Sequence, residues 1–231
     1  MLFDNGGKNE KEGFTDFNTS SRFYRVIERR LHEPAGRTIP SFRTERYLGY
    51  QHENLGVGPT EFYASMWYFE WEHVGYKSGF FIGVGSYNKT VHSEYVDWVD
   101  ENGNPIPQSV QFKETPLYLG WRYYPITPRR RTGVFPYISM GIAYVGWTFR
   151  QFGSFIDFTD YTIFEGDYKV DKDNFGFFLN AGMMLKVDRR FGIRVAAFYH
   201  KASGDLEPTF SGFEPLDLSG LSLMIGLTVL Y

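Results

Sequence analysis

Residues Ser219 to Tyr231 read SGLSLMIGLTVLY, with an apolar residue at every second position. Side chains alternate between the two faces of a β-strand. Leu221, Leu223, Ile225, Leu227, Val229 and Tyr231 therefore share one face, and Gly220, Ser222, Met224, Gly226 and Thr228 share the other. Such a strand either covers a soluble core with its apolar face or turns that face to hydrocarbon. Which of the two holds decides the fold.

The same period recurs upstream. Glu61 to Glu72 sets Tyr63, Trp67, Phe69 and Trp71 against Met66, Tyr68, Glu70 and Glu72. Further strands are expected at Gly79 to Tyr87 (continuing towards Trp98), Leu117 to Tyr124, Val134 to Tyr144, Phe175 to Val187 and Phe191 to His200. The connections His73 to Lys77, Ile126 to Thr132 and Asp188 to Arg189 are short, whereas Val99 to Pro107, Gln151 to Asp171 and Gly204 to Leu218 are longer and polar. Transmembrane barrels combine short periplasmic turns with long outer loops, so this asymmetry gives each connection a side. Even parity then demands one earlier ascending strand, and Arg43 to Gln51 (RTERYLGYQ) is the best segment for it. The expectation is an all-β, eight-stranded antiparallel up-and-down transmembrane barrel over residues 43–231. Residues 1–42 form an N-terminal extension on the periplasmic side.

Composition agrees with a membrane barrel. Aromatic residues make up 19% of the 231 residues, while the mean hydropathy is −0.35 and no apolar run approaches the ~18–20 residues of a membrane helix. There is no cysteine, which removes disulfides, thiolate metal sites and cysteine nucleophiles. A net charge of −3 argues against nucleic acid as a partner. The opening MLFDNGGKNEKEG lacks a basic start followed by an apolar stretch, and a mature chain after signal removal is the reading favoured for an exported barrel. A soluble lipocalin-like barrel would reverse the phase, placing Leu223 and Leu227 inside and carpeting the surface with Gly176, Gly182, Gly220 and Gly226.

Aromatic residues also gather at strand ends. Trp71, Tyr76, Trp121, Tyr123, Tyr124, Phe135, Phe191 and Tyr231 fall beside the short turns, and Trp147, Phe149, Phe175 and Tyr199 fall nearer the other end, as two interfacial girdles require. With its alternation, loop asymmetry, girdles and terminal Tyr231, the chain resembles the small outer-membrane β-barrel superfamily that includes the OmpA transmembrane domain, OmpW and OmpX. The resemblance implies the bacterial outer membrane as location. It implies contact with outer-membrane lipid and lipopolysaccharide, and insertion by the barrel-assembly machinery through a C-terminal signal carried here by Leu223, Ile225, Leu227, Val229 and Tyr231. Other envelope proteins are expected to dock on residues 1–42 or the outer loops.

The inward face is expected to carry Glu70, Glu72, Arg122, Lys186, Arg194 and His200. An eight-stranded barrel is only wide enough for side chains to fill, so these charges should pair in a packed polar interior with a structural or partner-binding role. A narrow channel gated by the same charges is the first alternative. The second is a lipid A deacylase-like hydrolase using His200 and Ser203, but that family's His-x-Ser-Asn places its pair two apart on one face. Here the spacing is three and no Asn follows, so a bulge at Lys201 would be needed. The acidic run Asp157, Asp160, Glu165, Asp167, Asp171 and Asp173 has no EF-hand spacing and reads as a solvated outer loop. Arg129, Arg130 and Arg131 read as a solvated turn near anionic headgroups. No motif asks for a cofactor or a resident metal.

Overall fold

A computed structural model describes residues 36–47, 57, 60–129, 132–210 and 215–230, the first segment by its backbone. The strands are β1 (Gly36–Tyr47), β2 (Ala64–Val74), β3 (Ser78–Val99), β4 (Pro105–Tyr123), β5 (Gly133–Ile156), β6 (Ile163–Lys186), β7 (Phe191–Lys201), β8 (Ser203–Gly204), β9 (Leu216–Asp217) and β10 (Gly220–Leu230). Among the described residues, eight of them close a barrel in the order β1-β10-β7-β6-β5-β4-β3-β2, with β8 and β9 forming a separate two-residue ladder. Every neighbouring pair is antiparallel, and β1 pairs with both β2 and β10, so the ladder has no open seam. The molecule is an up-and-down barrel.

The alternation points its apolar rows outward. Leu223, Ile225 and Leu227 of β10 are 70%, 58% and 57% exposed, while Ser222, Met224 and Thr228 of the opposite row are buried. Phe80, Ile82, Val84, Leu117, Leu119, Ile142, Phe177, Leu179 and Val195 continue the exposed belt around the barrel. Strands β2, β7 and β10 have 11 residues each. At about 3.3 Å per residue and a tilt near 40°, that is roughly 28 Å along the axis, the height of a bilayer's hydrocarbon. Burying so many large apolar side chains in lipid is what makes an exposed apolar surface stable here; in water it would aggregate.

Inward glycines make room for rings. A Cβ on Gly120 would lie 2.6 Å from the rings of Phe81 and Phe178, so the bulky inward aromatics need that position empty. On Gly141 a Cβ would overlap the Leu119 carbonyl oxygen of the neighbouring strand.

Two expectations are corrected. The first strand starts at Gly36, seven residues before the expected Arg43, so residues 36–42 belong to the barrel rather than to the extension; residues 48–51 of the expected strand, like residues 1–35, lie outside the described ones. The cause is a register shift between Thr38 and Ser41/Phe42, where Pro40 cannot donate to the ladder and the bulge breaks the two-residue period. The expected long loop Gln151 to Asp171 is mostly strand, because β5 and β6 stay paired out to Ile156↔Ile163. Likewise β3 and β4 pair out to Val99↔Pro105. These strands run 19 to 24 residues, so β3–β6 rise as a four-stranded wall beyond the short strands. Its β6 edge leaves the barrel after Phe177↔Lys201 and is studded with Glu165, Asp167, Lys169, Asp171 and Asp173, charges that block edge-to-edge pairing.

Leu223→Arg places a cation on the lipid face near mid-barrel and is expected to lower folding stability in vesicles by about 2–4 kcal/mol, measured by reversible denaturant unfolding. An unchanged midpoint would mean that this row does not face hydrocarbon.

Candidate functional site

The interior of the lower half is organised around four charges. Glu70 and Glu72 come from β2, Arg122 from β4 and Arg194 from β7, and all four are almost completely buried. Alternation within β2 puts both carboxylates on one inward row, and closure of the barrel brings the two guanidinium groups across to them. Arg122 grips Glu70 with both terminal nitrogens, Nη1 to Oε1 at 2.7 Å and Nη2 to Oε2 at 2.9 Å, and also pairs with Glu72. Arg194 donates from Nη2 to Glu72 Oε2 at 2.8 Å and pairs through Nη1 with Glu70. The Tyr68 hydroxyl donates to Glu70 at 2.9 Å and the Tyr124 hydroxyl to Glu72 at 2.8 Å. Arg122 Cζ lies 4.5 Å from the ring centroids of both Phe81 and Tyr137. Two anions and two cations cancel, and shared hydrogen bonds offset the desolvation that burial imposes on each.

A ring layer sits directly above. Tyr118, Phe178 and Phe198 meet with centroids 5.0 to 5.3 Å apart, and Phe81 and Tyr68 extend the group at 5.7 and 5.9 Å. On its far side His200 Nε2 lies 3.7 Å from Glu114 Oε1, both side chains fully buried. The structure thus gathers Glu70, Glu72, Arg122 and Arg194 into one cluster and leaves His200 apart from it. Lys186 is also apart: half-buried at the short-turn end, it donates to the Pro128 carbonyl at 2.8 Å. His200 and Ser203 are not brought together, since His200 is buried inside the barrel and Ser203 is exposed.

Beyond His200 the concave face of the β3–β6 wall is apolar and covered. Val91, Val110, Phe112, Val145, Trp147, Phe149 and Val170 line it, and Val57, Phe62, Leu206, Phe210, Leu216 and Leu218 from the flanking connections close over it in one buried cluster. Phe62 meets Phe112 at 6.4 Å and Phe210 meets Phe149 at 5.3 Å, both edge to face. Gly204 is required where it stands, because a Cβ there would lie 2.5 Å from the Trp147 ring. Trp147 Nε1 donates to Asn174 at 2.7 Å.

Phase, not height, decides which aromatics reach lipid. Trp71, Tyr76, Trp121, Tyr123 and Phe191 are exposed at the short-turn end, and Tyr63, Trp67, Tyr144 and Phe175 at the other. Tyr124, Phe135, Trp147 and Phe149, expected in the girdles, point inward instead, and Tyr231 lies outside the described residues. Glu114 and Tyr124 were not among the expected site residues. Carrying the β4 alternation backwards from Arg122 through Tyr118 reaches Glu114, so its signal was present. One step forwards from Arg122 the same alternation reaches Tyr124, just past the end of β4, so the inward side of Tyr124 was legible although its ring was expected in the girdle.

The acidic run on β6 has ordinary partners. Arg150 grips Asp167 at 2.7 and 2.6 Å, Thr148 donates to Asp171 at 2.6 Å, and Ser154 donates to Glu165 at 2.8 Å. Hydrogen bonding from Arg150 holds the Asp167 carboxyl below its ordinary range. These carboxylates join β5 to β6 rather than lining a loop.

No protein-family model matches the sequence, and no curated protein matches it. Among solved structures the chain is similar to the outer membrane protein OprG from Pseudomonas aeruginosa, at 14% identity over 87% of this chain and 97% of that one, with a TM-score of 0.51. It is also similar to Neisserial surface protein A, at 10% identity over 86% and 97%, with a TM-score of 0.49. A third is the N-terminal barrel domain of Pseudomonas aeruginosa OprF, at 13% identity over 86% and 98%, with a TM-score of 0.46. The fold is that of the small outer-membrane β-barrels. Closed ladder and apolar belt together are the features of a β-barrel that crosses a membrane with its strands.

Arg194→Met leaves two buried carboxylates against one guanidinium and is expected to cost about 3–5 kcal/mol of folding stability. The double variant Glu72→Gln/Arg194→Met restores the charge balance around Glu70 and Arg122 and should recover most of that loss. Equal destabilisation of the single and double variants in denaturant titrations would mean that the four charges do not act as a unit.

Proposed function

We propose that the barrel is a closed, non-conducting scaffold that anchors the β3–β6 wall outside the membrane for contact with a partner in the envelope or beyond it. The observation that carries this reading is the stacking of three seals along the axis: the neutral charge cluster, the ring layer and the covered apolar cap. A solute path would have to displace all three. Separating the cluster alone would leave Tyr118 of β4 against Phe198 of β7 at 5.0 Å across the lumen.

The wall itself supports the second half of the reading. Short turns mark the periplasmic end of such barrels, so the wall stands on the outer side. At its tips Trp98 packs on Phe158 and Tyr161, each pair at 5.6 Å, yet the three are 40%, 57% and 63% exposed. Large rings left in water beyond the lipid belt are a surface that association would bury.

The test is single-channel recording from the purified protein in planar bilayers at neutral pH. The expected trace is free of large steady currents, both for the unmodified chain and for Arg122→Ala, because the ring layer and cap remain. Steady conductance from the unmodified chain, altered in ion selectivity by Arg122→Ala, would replace the scaffold with a gated channel.

A further inference from the structure

The three short turns carry an excess of cationic side chains. Lys77 lies between β2 and β3, Arg129 between β4 and β5, and Arg189 and Arg190 between β6 and β7; all four are exposed. Lys186 adds a fifth cation at the rim, and Arg130 and Arg131 follow Arg129 in sequence. Among the described residues of these turns the acidic one is Asp188, and its carboxylate is occupied by the backbone N–H groups of Arg190 at 2.5 Å and Phe191 at 2.8 Å.

The turns form one surface rather than separate loops. Thr127 Oγ1 donates to the Tyr76 carbonyl at 2.7 Å and the Tyr124 N–H to the Lys77 carbonyl at 2.7 Å. Lys186 Nζ reaches the Pro128 carbonyl, and the Leu230 N–H donates to the Arg190 carbonyl at 2.7 Å. This collar abuts the lipid belt: the Arg129 guanidinium lies 5.1 Å from the ring of the exposed Tyr76, and Trp71, Trp121, Tyr123 and Phe191 are exposed beside it. Interfacial rings sit at headgroup level, so the cations stand among phosphates.

We propose that the collar binds the headgroups of anionic phospholipids in the leaflet at the short-turn end. Guanidinium forks match phosphate oxygens in pairs, and the laced turns fix the backbone that carries the cations before a lipid arrives, which lowers part of the ordering cost of binding. A zwitterionic headgroup presents its own ammonium to the same cations and is disfavoured. Contact with lipid is inherent to the barrel, whereas selection by headgroup charge is new. The selection rests on the membrane placement and not on the closed interior.

The experiment is quenching of tryptophan emission in bilayers of dioleoylphosphatidylcholine containing either dibrominated phosphatidylglycerol or dibrominated phosphatidylcholine. At low salt the full chain should favour the anionic lipid about fivefold or more, and the preference should shrink in 0.5 M salt by screening (on the order of a 4 Å Debye length). Replacing Lys77, Arg129, Arg189 and Arg190 by Gln should abolish it, while Arg129→Lys/Arg189→Lys/Arg190→Lys should keep most of it. Equal quenching by the two lipids, or a preference that the Gln variant retains, overturns the proposal. If the Gln variant does not fold, the salt titration of the unmodified chain decides: a preference insensitive to salt overturns it equally.

Discussion

Closure of the hydrogen-bonded ladder is the constraint on which the rest of the molecule depends. Inside hydrocarbon no water can satisfy a backbone N–H or C=O, and an open strand edge would leave a row of them unpaired. Pairing of β1 with both β2 and β10 removes that edge. A closed ring forces every second side chain outward into lipid and the others into a lumen too narrow for bulk water.

The character of the interior follows from that confinement. Polar residues on the inward row cannot stay solvated, so Glu70, Glu72, Arg122 and Arg194 satisfy one another and draw in the hydroxyls of Tyr68 and Tyr124. The arrangement is balanced rather than strongly stabilising, because desolvation offsets most of the attraction between buried ions. Its consequence is specificity: three strands, β2, β4 and β7, must keep register for two forks to meet two carboxylates. The ring layer above needs the same register, since Gly120 must lie beneath Phe81 and Phe178.

Outside the hydrocarbon the constraints change. There β3–β6 continue as a wall whose concave face is buried like a soluble core, under Phe62, Leu206 and Phe210. Its convex face and β6 edge are charged. The two ends of the barrel therefore differ in kind. One is a compact basic rim at the lipid surface, and the other is a small folded body projecting from it.

Much of this was legible in the chain. The two-residue period of SGLSLMIGLTVLY and its upstream counterparts sufficed for an eight-stranded membrane barrel, for its lipid-facing row, and for inward positions at Glu70, Glu72, Arg122, Lys186, Arg194 and His200, since a period of two is local information. Pairing was not local. That Arg122 grips both glutamates while His200 faces Glu114 depends on closure, which joins residues 50 and more apart in the chain. The bulge at Pro40 hid the true start of β1, because an interrupted period erases the signal it rests on. Polar stretches on both faces of β5 and β6 looked like loop until pairing with each other made them wall. Sequence alone determined which face of each strand meets lipid, because alternation is written residue by residue; tertiary structure alone decided which inward groups meet and where the strands end, because both depend on neighbours that only the closed ring supplies.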